Sequence, residues 1–587
     1  MACSMFFAFC PASKGAGAES RPAGQINTPQ ELWADFDPRK EPLEILTVRR
    51  WQRDGCDLHA FYFTGETCDG EKALIYGLYG TPTGGKKLPA VLHIHGGGQP
   101  ASLHWVLYWN QQGYAAMTFN WGGEWENRSR YAIWGDRLRH CNHKYCGDKI
   151  ASVHPTPKES SWYHWTLVTR RALTVLESQK EVDPKRMGIF GISMGGTLVW
   201  NVAGVDDRVK AACAIYGVGW NTYPAGKYDK DPKANDADTL IWRRTMEPEA
   251  YAPLIKAPVL FLNATNDQHG KFDWSYDTLN ALKCDWRVAY TPQFRHHIAE
   301  DQGRNLLLWM DTHLRGGQAW PKTPAVNVSL SDNGVPMLTA RPDVSQEIKR
   351  VDVYYAIENT CPFNRHWRQE KARKKGDTWT AALPVMDVEK HLFAFANVYY
   401  KRGMCLTSNL AAVIPAQLGK AKATDKPSLQ IADFSEGLDG FLTTSTGTDP
   451  VVYYAGLARE KGPKDRYGIR PLGQWAPLIT FKIGDPKWRG PDGAKLAFDV
   501  YCPEKVELQI TVHENEFDQG WRQYKCSVPL AVGKGWQHIS LKCGQLKTEK
   551  GGKLSSWQRA DLLELRLATW PKEQPTFSSF RWVSSGR

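Results

Sequence analysis

Residues 186–200, RMGIFGISMGGTLVW, limit the fold of this chain more than any other stretch. The apolar run around Ile189 predicts a buried strand, and the apolar run after Gly196 predicts a helix. Between them stands Gly-x-Ser-x-Gly, with Ser193 at its centre. Because a turn this sharp tolerates no Cβ at the flanking positions, the glycines are required. The pattern predicts that the Ser193 hydroxyl projects from a strand end at the N-terminus of a helix, the position of an activated nucleophile.

A second glycine motif follows a predicted central strand. Residues 88–95, LPAVLHIH, are apolar as in a strand that is buried on both faces, and Gly96-Gly97-Gly98-Gln99 follow. Acyl transfer develops negative charge on a carbonyl oxygen, and backbone N–H groups must already point at it. We therefore predict an oxyanion hole made by the N–H groups of Gly97 and Met194, with Gly96 or Gly98 as alternatives to Gly97.

An acid and a base follow the serine in the order that this chemistry requires. Asp267 comes just after the predicted strand 257–263, and His296 comes after the predicted strand 286–290. A histidine takes the hydroxyl proton and returns it to the leaving group, while the carboxylate fixes its tautomer. We predict the catalytic triad Ser193, Asp267 and His296. The open alternatives are His297 for the base, with Asp273 and His269 close to the acid.

Two long irregular segments, 121–160 and 217–251, interrupt the predicted strands and helices. Irregular excursions of this length usually form a wall or a lid of a pocket, although a purely decorative insertion is the alternative. We predict that Trp121, in the first segment, and Gln99, at the end of the glycine motif, bind substrate.

The motifs HIHGGGQ, GISMGG, LNATNDQ and TPQFRHH together resemble the α/β-hydrolase superfamily over residues 40–318. Within it they are most similar to the bacterial acetyl xylan esterase and dienelactone-hydrolase-like group. Dienelactone hydrolases proper use a cysteine nucleophile, where this chain has Ser193. Cephalosporin deacetylases typically have glutamine after the serine, where this chain has Met194. The resemblance implies a mostly parallel sheet with helices on both faces and a serine esterase activity on carbohydrate esters.

Composition and charge limit the partners and cofactors. The chain has 587 residues, enough for two to four domains, and a formal net charge of +12. No compact basic block is present, so we expect no nucleic-acid partner; attraction to an acidic polymer is the alternative to a scattered basic surface. The sequence contains no run of 18 apolar residues, so we predict no membrane-spanning helix. We expect no cofactor and no metal, and interpret Cys141 and Cys146 as a small disulfide loop or as plain loop residues.

The sequence beyond residue 318 predicts β structure. We expect a multidomain chain: an α/β-hydrolase catalytic domain at 19–318, an immunoglobulin-like sandwich at 322–415, a polar linker at 416–428, and a β-jelly-roll-like domain at 429–587. Aromatic faces stack on sugar rings, so the last domain is interpreted either as carbohydrate-binding or as a structural sandwich with core tryptophans. The tryptophans in question are Trp521, Trp536, Trp557 and Trp582.

The N-terminal segment and the activity leave alternatives open. Residues 1–18 contain the apolar stretch MFFAFC and an Ala-Gly-Ala cleavage pattern but no preceding basic residue, which resembles a weak secretory signal. We expect a secreted or periplasmic esterase acting on an acylated polysaccharide or a small ester, and a cytoplasmic location stays open. The alternatives are a prolyl-oligopeptidase-type peptidase and a catalytically inactive polysaccharide-binding protein. The oligomeric state is left open.

Overall fold

The computed structural model describes residues 26–124, 130–217, 227–228, 236–443, 456–473, 476–516, 520–569 and 571–584. The predicted signal segment 1–18 lies outside these residues, as do residues 218–226 and 229–235 of the irregular segment 217–251. Within the described ranges, no helix has both the length and the apolar character needed to cross a membrane.

The first part of the chain, here called the mixed-sheet region (residues 26–320), is built on one nine-stranded sheet with the order β1-β2-β3-β5-β4-β6-β7-β8-β9. Strands β1 to β3 pair antiparallel and β3 pairs antiparallel with β5, whereas all pairs from β5 to β9 are parallel. The mostly parallel sheet predicted from the sequence is therefore confirmed. The strands are β1 Leu46–Arg53, β2 Cys56–Cys68, β3 Glu71–Pro82, β4 Leu88–Ile94, β5 Ala115–Phe119, β6 Val182–Ile192, β7 Val209–Ile215, β8 Val259–Ala264 and β9 Trp286–Thr291.

Helices cover both faces of this sheet. Central strand β4 explains why: Leu92 and Ile94 face one apolar cluster with α3 and α4, whereas Val91 faces a second cluster with α2 and α9. A parallel strand buried on both faces needs this continuous apolar sequence. The helices are α1 Pro29–Trp33, α2 Leu103–Gln111, α3 Ser161–Glu177, α4 Met194–Val205, α5 Ala237–Thr245, α6 Pro248–Tyr251, α7 Phe272–Ala281, α8 Glu300–Gly303 and α9 Asn305–Arg315.

The rest of the chain is antiparallel β structure in two regions. The middle region (residues 322–415) has a sheet β10-β11-β15-β14 and a sheet β13-β12-β16-β17, with β18 also paired to β16. Its strands are β10 Ala325–Leu330, β11 Pro336–Arg341, β12 Ile348–Ile357, β13 Arg368–Lys371, β14 Arg373–Lys375, β15 Thr378–Ala382, β16 Leu392–Tyr400, β17 Cys405–Thr407 and β18 Ala411–Val413.

The C-terminal region (residues 429–584) has a sheet β21-β22-β29-β24-β27, with β19 paired to β29, and a sheet β20-β23-β28-β25-β26. The finer assignments, immunoglobulin-like and jelly-roll-like, stay predictions. The strands are β19 Gln430–Ala432, β20 Phe441–Thr443, β21 Leu457–Lys461, β22 Tyr467–Pro471, β23 Leu478–Thr480, β24 Lys495–Tyr501, β25 Val506–Glu516, β26 Gly520–Leu530, β27 Gln537–Lys542, β28 Leu562–Leu567 and β29 Thr576–Val583.

The middle region shares its apolar core with the mixed-sheet region. Trp367 and Phe395 belong to the same buried cluster as α3 and α4. Strand β9 is bound by middle-region side chains, because Tyr290 N–H donates to Thr407 Oγ1 (2.8 Å) and Asn397 Nδ2 donates to Tyr290 O (3.0 Å). The mixed-sheet and middle regions therefore share one core, whereas tethered domains would have separate cores.

Segment 416–428 differs from the flexible linker expected from its polar composition. Its backbone is hydrogen-bonded along its length, for example from Lys422 N to Gly334 O and from Thr424 N to Val385 O. The buried carboxylate of Asp425 accepts from Arg368 (2.7 Å) and Lys487 (2.8 Å), which belong to the middle and C-terminal regions. Lysine-rich composition could not reveal these partners, which do not favour the predicted mobile linker.

Two of the tryptophans of the C-terminal region belong to its core. Trp557 and Trp582 are buried, contact each other with ring centroids 5.0 Å apart, and donate to backbone carbonyls. They are not free to stack on a sugar, which agrees with the structural alternative. Trp536 is half-buried under Arg466, and the side chain of Trp521 lies outside the described residues.

Candidate active site

Ser193 stands between β6 and α4 with φ = 58° and ψ = −118°. A non-glycine residue rarely adopts this backbone conformation, and such strain persists only where the surroundings impose it. Here Ser193 N–H donates to Ile215 O (2.8 Å), and Ser193 O accepts from Thr197 N–H (3.1 Å). The turn places Ser193 at the N-terminus of α4, beyond the carboxyl end of a central parallel strand.

The flanking glycines are required by backbone packing. A Cβ on Gly191 would lie 2.1 Å from Gly195 O, and a Cβ on Gly195 would lie 2.1 Å from Ile94 O. Neither neighbour is a flexible side chain that could move away. The sequence pattern around Ser193 thus follows from the close approach of β4 and α4 at this turn.

The glycine motif after β4 lies beside the serine. A Cβ on Gly96 would lie 3.3 Å from Ser193 Cβ, and one on Gly97 would lie 2.4 Å from Met194 Sδ. Gln99 Oε1 accepts the Gly96 N–H (2.9 Å), so that donor is already engaged. This contact favours Gly97 over Gly96 as the donor for an oxyanion, and it gives half-buried Gln99 a role in holding the loop.

Trp121 is fully buried, which does not favour its predicted role in substrate binding. Its indole N–H donates to His95 O (3.0 Å), and its ring stacks on the His95 ring with centroids 4.9 Å apart. His95 Nδ1 in turn lies 2.7 Å from Gly96 O. Trp121 therefore supports the glycine motif from behind, a role that the sequence alone did not distinguish from lining the pocket.

Asp267 and His296 meet at the neighbouring strand ends. His296 Nδ1 lies 3.0 and 2.9 Å from the two carboxylate oxygens of Asp267, which is fully buried. The same carboxylate accepts the backbone N–H of His269 (2.8 Å). Burial alone would raise the pKa of Asp267, but the charge and hydrogen bonds of His296 outweigh it and hold that pKa below its usual value. The pair therefore has an ionised acid beside an oriented imidazole.

Two aromatic rings confine the His296 imidazole. Tyr216 lies against it with ring centroids 4.2 Å apart, and the His269 ring lies 5.1 Å away at 77°. Burial lowers the pKa of His269 to about 4, so this neighbour is neutral near pH 7. No sequence motif pointed to Tyr216, although its position directly after β7 is the available signal.

The rival acid, Asp273, has another partner. Its carboxylate accepts two hydrogen bonds from Arg365 of the middle region, at 2.6 and 2.8 Å, and both side chains are buried. A carboxylate held by a two-pronged guanidinium contact serves an ion pair rather than a histidine. This geometry favours Asp267 as the acid.

The loops that carry Asp267 and His296 are docked on the middle region. Asn266 Nδ2 donates to Arg365 O (2.8 Å), and Gln293 Nε2 donates to Trp367 O (2.7 Å). The two loops are also joined to each other, since Asn266 N–H donates to Phe294 O (2.9 Å). Residues 363–367, which no sequence motif indicated, therefore hold the acid and base loops in place.

The C-terminal region touches the base loop as well. Phe294, two residues before His296, packs in a small apolar cluster with Ala264 of β8 and four side chains of the C-terminal region: Leu442, Ile479, Phe481 and Leu562. Burial lowers the pKa of the adjacent Arg295 to about 10, and the charge of Glu564 on β28 opposes that shift. The site is thus assembled from all three regions of the chain.

Cys141 and Cys146 are both free thiols, so the interpretation as a disulfide loop is wrong for this structure. Cys141 is fully buried, and its backbone carbonyl accepts the indole N–H of Trp165 (2.8 Å). Its side chain instead lies with His140 and His164, a group whose possible ligand atoms are all within 4.8 Å of one another.

Two family models match this part of the chain. The acetyl xylan esterase model matches residues 45–219, and the dienelactone hydrolase family model matches residues 158–305. Residues 45–305 belong to the α/β-hydrolases of the acetyl xylan esterase and dienelactone hydrolase group. The resemblance inferred from the sequence motifs is confirmed, and this α/β-hydrolase region is that of a hydrolase enzyme.

Individual relatives are distant from this α/β-hydrolase. The "Putative hydrolase YtaP" of Bacillus subtilis (strain 168) is 46% identical over 39 residues, which are 7% of this chain and 13% of that protein. The chain thus matches only a small part of that relative's length.

Solved structures of two acetyl xylan esterases are similar to the α/β-hydrolase at low identity. Acetyl xylan esterase 1 from Thermoanaerobacterium sp. JW/SL YS485 is 18% identical, with a TM-score of 0.39 and coverage of 49% of this chain and 95% of that chain. The enzyme from Paenibacillus sp. R4 is 20% identical, with a TM-score of 0.38 and coverage of 47% and 91%.

Proposed function

We propose that the chain is a serine carboxylic-ester hydrolase that works through an acyl-enzyme at Ser193. Ser193 Oγ attacks the ester carbonyl while His296 Nε2 accepts the hydroxyl proton. The N–H groups of Gly97 and Met194 hold the developing oxyanion, and the alcohol leaves with the proton from His296. Water then attacks the acyl-enzyme by the same route and releases the acid.

The observation that carries this proposal is the strained backbone of Ser193, with φ = 58° at the N-terminus of α4. Backbone strain of this kind collects at functional sites and is maintained by the rest of the fold. The oriented Asp267–His296 pair supplies the base that such a serine needs. The choice of Gly97 and Met194 as oxyanion donors is also supported. Gln99 engages the Gly96 N–H, and Gly97 lies next to Met194.

The substrate class we propose is an acylated polysaccharide of the acetyl xylan type. The match of residues 45–219 to the acetyl xylan esterase model supports it. The formal net charge of +12 also suits a polymer that carries acidic sugars. An exported enzyme would meet such a polymer, and the apolar stretch near residue 5 is the basis for proposing export.

A substrate panel tests both the proposed esterase activity and the proposed substrate class. Wild-type protein and the Ser193→Ala variant are assayed on acetylated xylan, feruloylated arabinoxylan, p-nitrophenyl esters of increasing acyl length, and peptide amides. We expect acetate release from xylan and turnover of short esters, both lost in the variant. Turnover of short esters without acetate release from xylan would overturn the substrate class alone. Cleavage of peptide amides in preference to esters would instead favour the peptidase alternative.

A further inference from the structure

A buried cluster of metal-ligating side chains lies outside the catalytic triad. His140, Cys141 and His164 each offer one ligand atom, and these atoms lie within 4.8 Å of one another. Cys141 is fully buried, and the His164 side chain is 10% exposed. Zinc–sulfur bonds of about 2.3 Å and zinc–nitrogen bonds of about 2.0 Å bring ligand atoms to roughly 3.3–4 Å from one another, so a small side-chain movement suffices.

One histidine of the cluster is already oriented as a metal ligand. Glu66 Oε1 lies 2.7 Å from His164 Nδ1, and both side chains are nearly buried. A carboxylate that accepts from one ring nitrogen fixes the tautomer and turns the lone pair of the other nitrogen outward, as metal-binding histidines require. Because Glu66 engages Nδ1, Nε2 is the His164 nitrogen that is left to bind a metal.

The second histidine, His140, has a buried ring nitrogen. Within the part of the chain that the structure describes, the Nε2 of His140 is buried and has no hydrogen-bond partner. Leaving such an atom unsatisfied costs free energy, and a bound cation would satisfy it. The His140 and His164 rings face each other edge-on, with centroids 5.5 Å apart.

We propose that His140, Cys141 and His164 bind a Zn²⁺ ion, with Glu66 as the carboxylate that orients His164. Binding releases the Cys141 thiol proton to solvent, so Zn²⁺, the thiolate and the Glu66 carboxylate together are neutral. Imidazole and thiolate ligands suit zinc better than magnesium or calcium. A water molecule completes a tetrahedral set.

The metal would join three segments that are distant in sequence. Glu66 lies on β2, His164 on α3, and His140 and Cys141 end the short 3-10 helix Asp136–Cys141. This helix belongs to the irregular segment 121–160, in which the described part has only short 3-10 turns. His143 lies two residues beyond Cys141 and close to the glycine motif. A Cβ on Gly97 would be 3.4 Å from His143 Nε2. A zinc ion here would therefore fix the wall next to the glycine motif without taking part in the reaction.

The test measures metal binding rather than activity, so its failure would leave the esterase proposal standing. The full-length chain, free of any histidine tag, is titrated with Zn²⁺ and, separately, with Co²⁺ as a spectroscopic substitute. We expect about one Zn²⁺ per chain and a cobalt–thiolate charge-transfer band. Cys141→Ser should abolish the band and His164→Gln should lose the ion. Glu66→Gln should weaken binding about 10–100-fold.

Matched controls separate this site from adventitious binding. Cys284→Ser changes another half-buried free thiol, and His154→Gln changes an exposed histidine; both variants should bind Zn²⁺ like the wild type. Retention of the cobalt–thiolate band by a folded Cys141→Ser variant would overturn the proposal. If that variant does not fold, the wild-type spectrum decides alone, and a wild-type protein without the band would equally overturn it.

Discussion

The guanidinium of Arg365 donates two hydrogen bonds, of 2.6 and 2.8 Å, to the carboxylate of Asp273, and both side chains are buried. Asp273 lies on α7 of the mixed-sheet region, and Arg365 lies in the middle region between β12 and β13. The same short segment accepts a hydrogen bond from Asn266, next to the proposed catalytic acid. The β regions after residue 320 are therefore part of the structure that builds the active site.

Breaking this ion pair from one side should destabilise the protein strongly. Arg365→Met leaves the Asp273 carboxylate buried without the opposite charge of its guanidinium partner, and we expect a loss of about 3–5 kcal/mol in the free energy of unfolding. The double variant Arg365→Met/Asp273→Leu should recover much of that loss, because no charge is left buried. Chemical denaturation measures both values.

The control for that experiment is Arg304→Met, which removes an exposed pair with Glu300. Exposed ion pairs are screened by solvent and contribute little to stability, so this variant should unfold like the wild type. A single Arg365→Met variant as stable as the control would contradict the structural role of the pair.

His296, rather than His297, should act as the base. His296→Ala removes the only imidazole that is held by both oxygens of Asp267 in the described structure, so we expect kcat to fall by about 10⁴-fold or more. His297→Ala should change kcat far less. Steady-state kinetics on a p-nitrophenyl ester compare the two, and a larger loss in His297→Ala would reverse the assignment.

The sequence predicted the parts of the site that backbone geometry dictates. Ser193 and its glycines had to form a tight turn, and Asp267 and His296 had to follow parallel strands whose carboxyl ends share one edge of the sheet. Local spacing was therefore enough to predict the mixed-sheet region and to select the three residues. Their catalytic roles remain proposed.

The remaining features depend on long-range contacts that no local pattern encodes. Trp121 resembles a pocket residue in sequence, but its ring stacks behind His95. Segment 416–428 has the composition of a linker, yet Asp425 is held by two cations from different regions. Arg365 is one of many arginines, and only the fold shows that it meets Asp273. Such partners are chosen by tertiary packing, which propensity and spacing do not determine.

The contribution of one buried carboxyl group to stability should fall as the pH rises from about 4.5 to about 7. Burial, and secondarily the charge of Glu249, raises the pKa of Glu247 to about 7. In this window the folded protein keeps the proton that the unfolded chain releases, so the contribution of Glu247 declines by up to roughly 3 kcal/mol. Glu247→Gln keeps an acceptor for the Trp242 indole N–H but cannot ionise.

Chemical denaturation of the wild type and Glu247→Gln at pH 5 and pH 8 measures this effect. We expect the stability of the variant relative to the wild type to improve at the higher pH. Glu300→Gln, at an exposed position, is the control and should show no such change. If the difference in the free energy of unfolding between wild type and variant is the same at both pH values, the pKa of Glu247 is not raised.

The C-terminal region should be needed for turnover of small esters as well as of polymers. Leu562→Asn disturbs the cluster around Phe294 without touching the triad, so the base loop should loosen and kcat should fall about 10-fold or more. Val532→Asn, at an exposed position of the same region, is the matched control. Kinetics on p-nitrophenyl acetate decide this point. Unchanged kcat in a folded Leu562→Asn variant would favour a tethered binding module instead.

The central claim is that Ser193 is the nucleophile, and covalent labelling tests it most directly. The full-length chain is treated with an organofluorophosphonate and digested, and the modified residue is located by tandem mass spectrometry. The account predicts a single labelled serine, Ser193, with loss of ester turnover in proportion to labelling, and no labelling in the folded Ser193→Ala variant. Labelling of a different serine, or full ester turnover by Ser193→Ala, would contradict it.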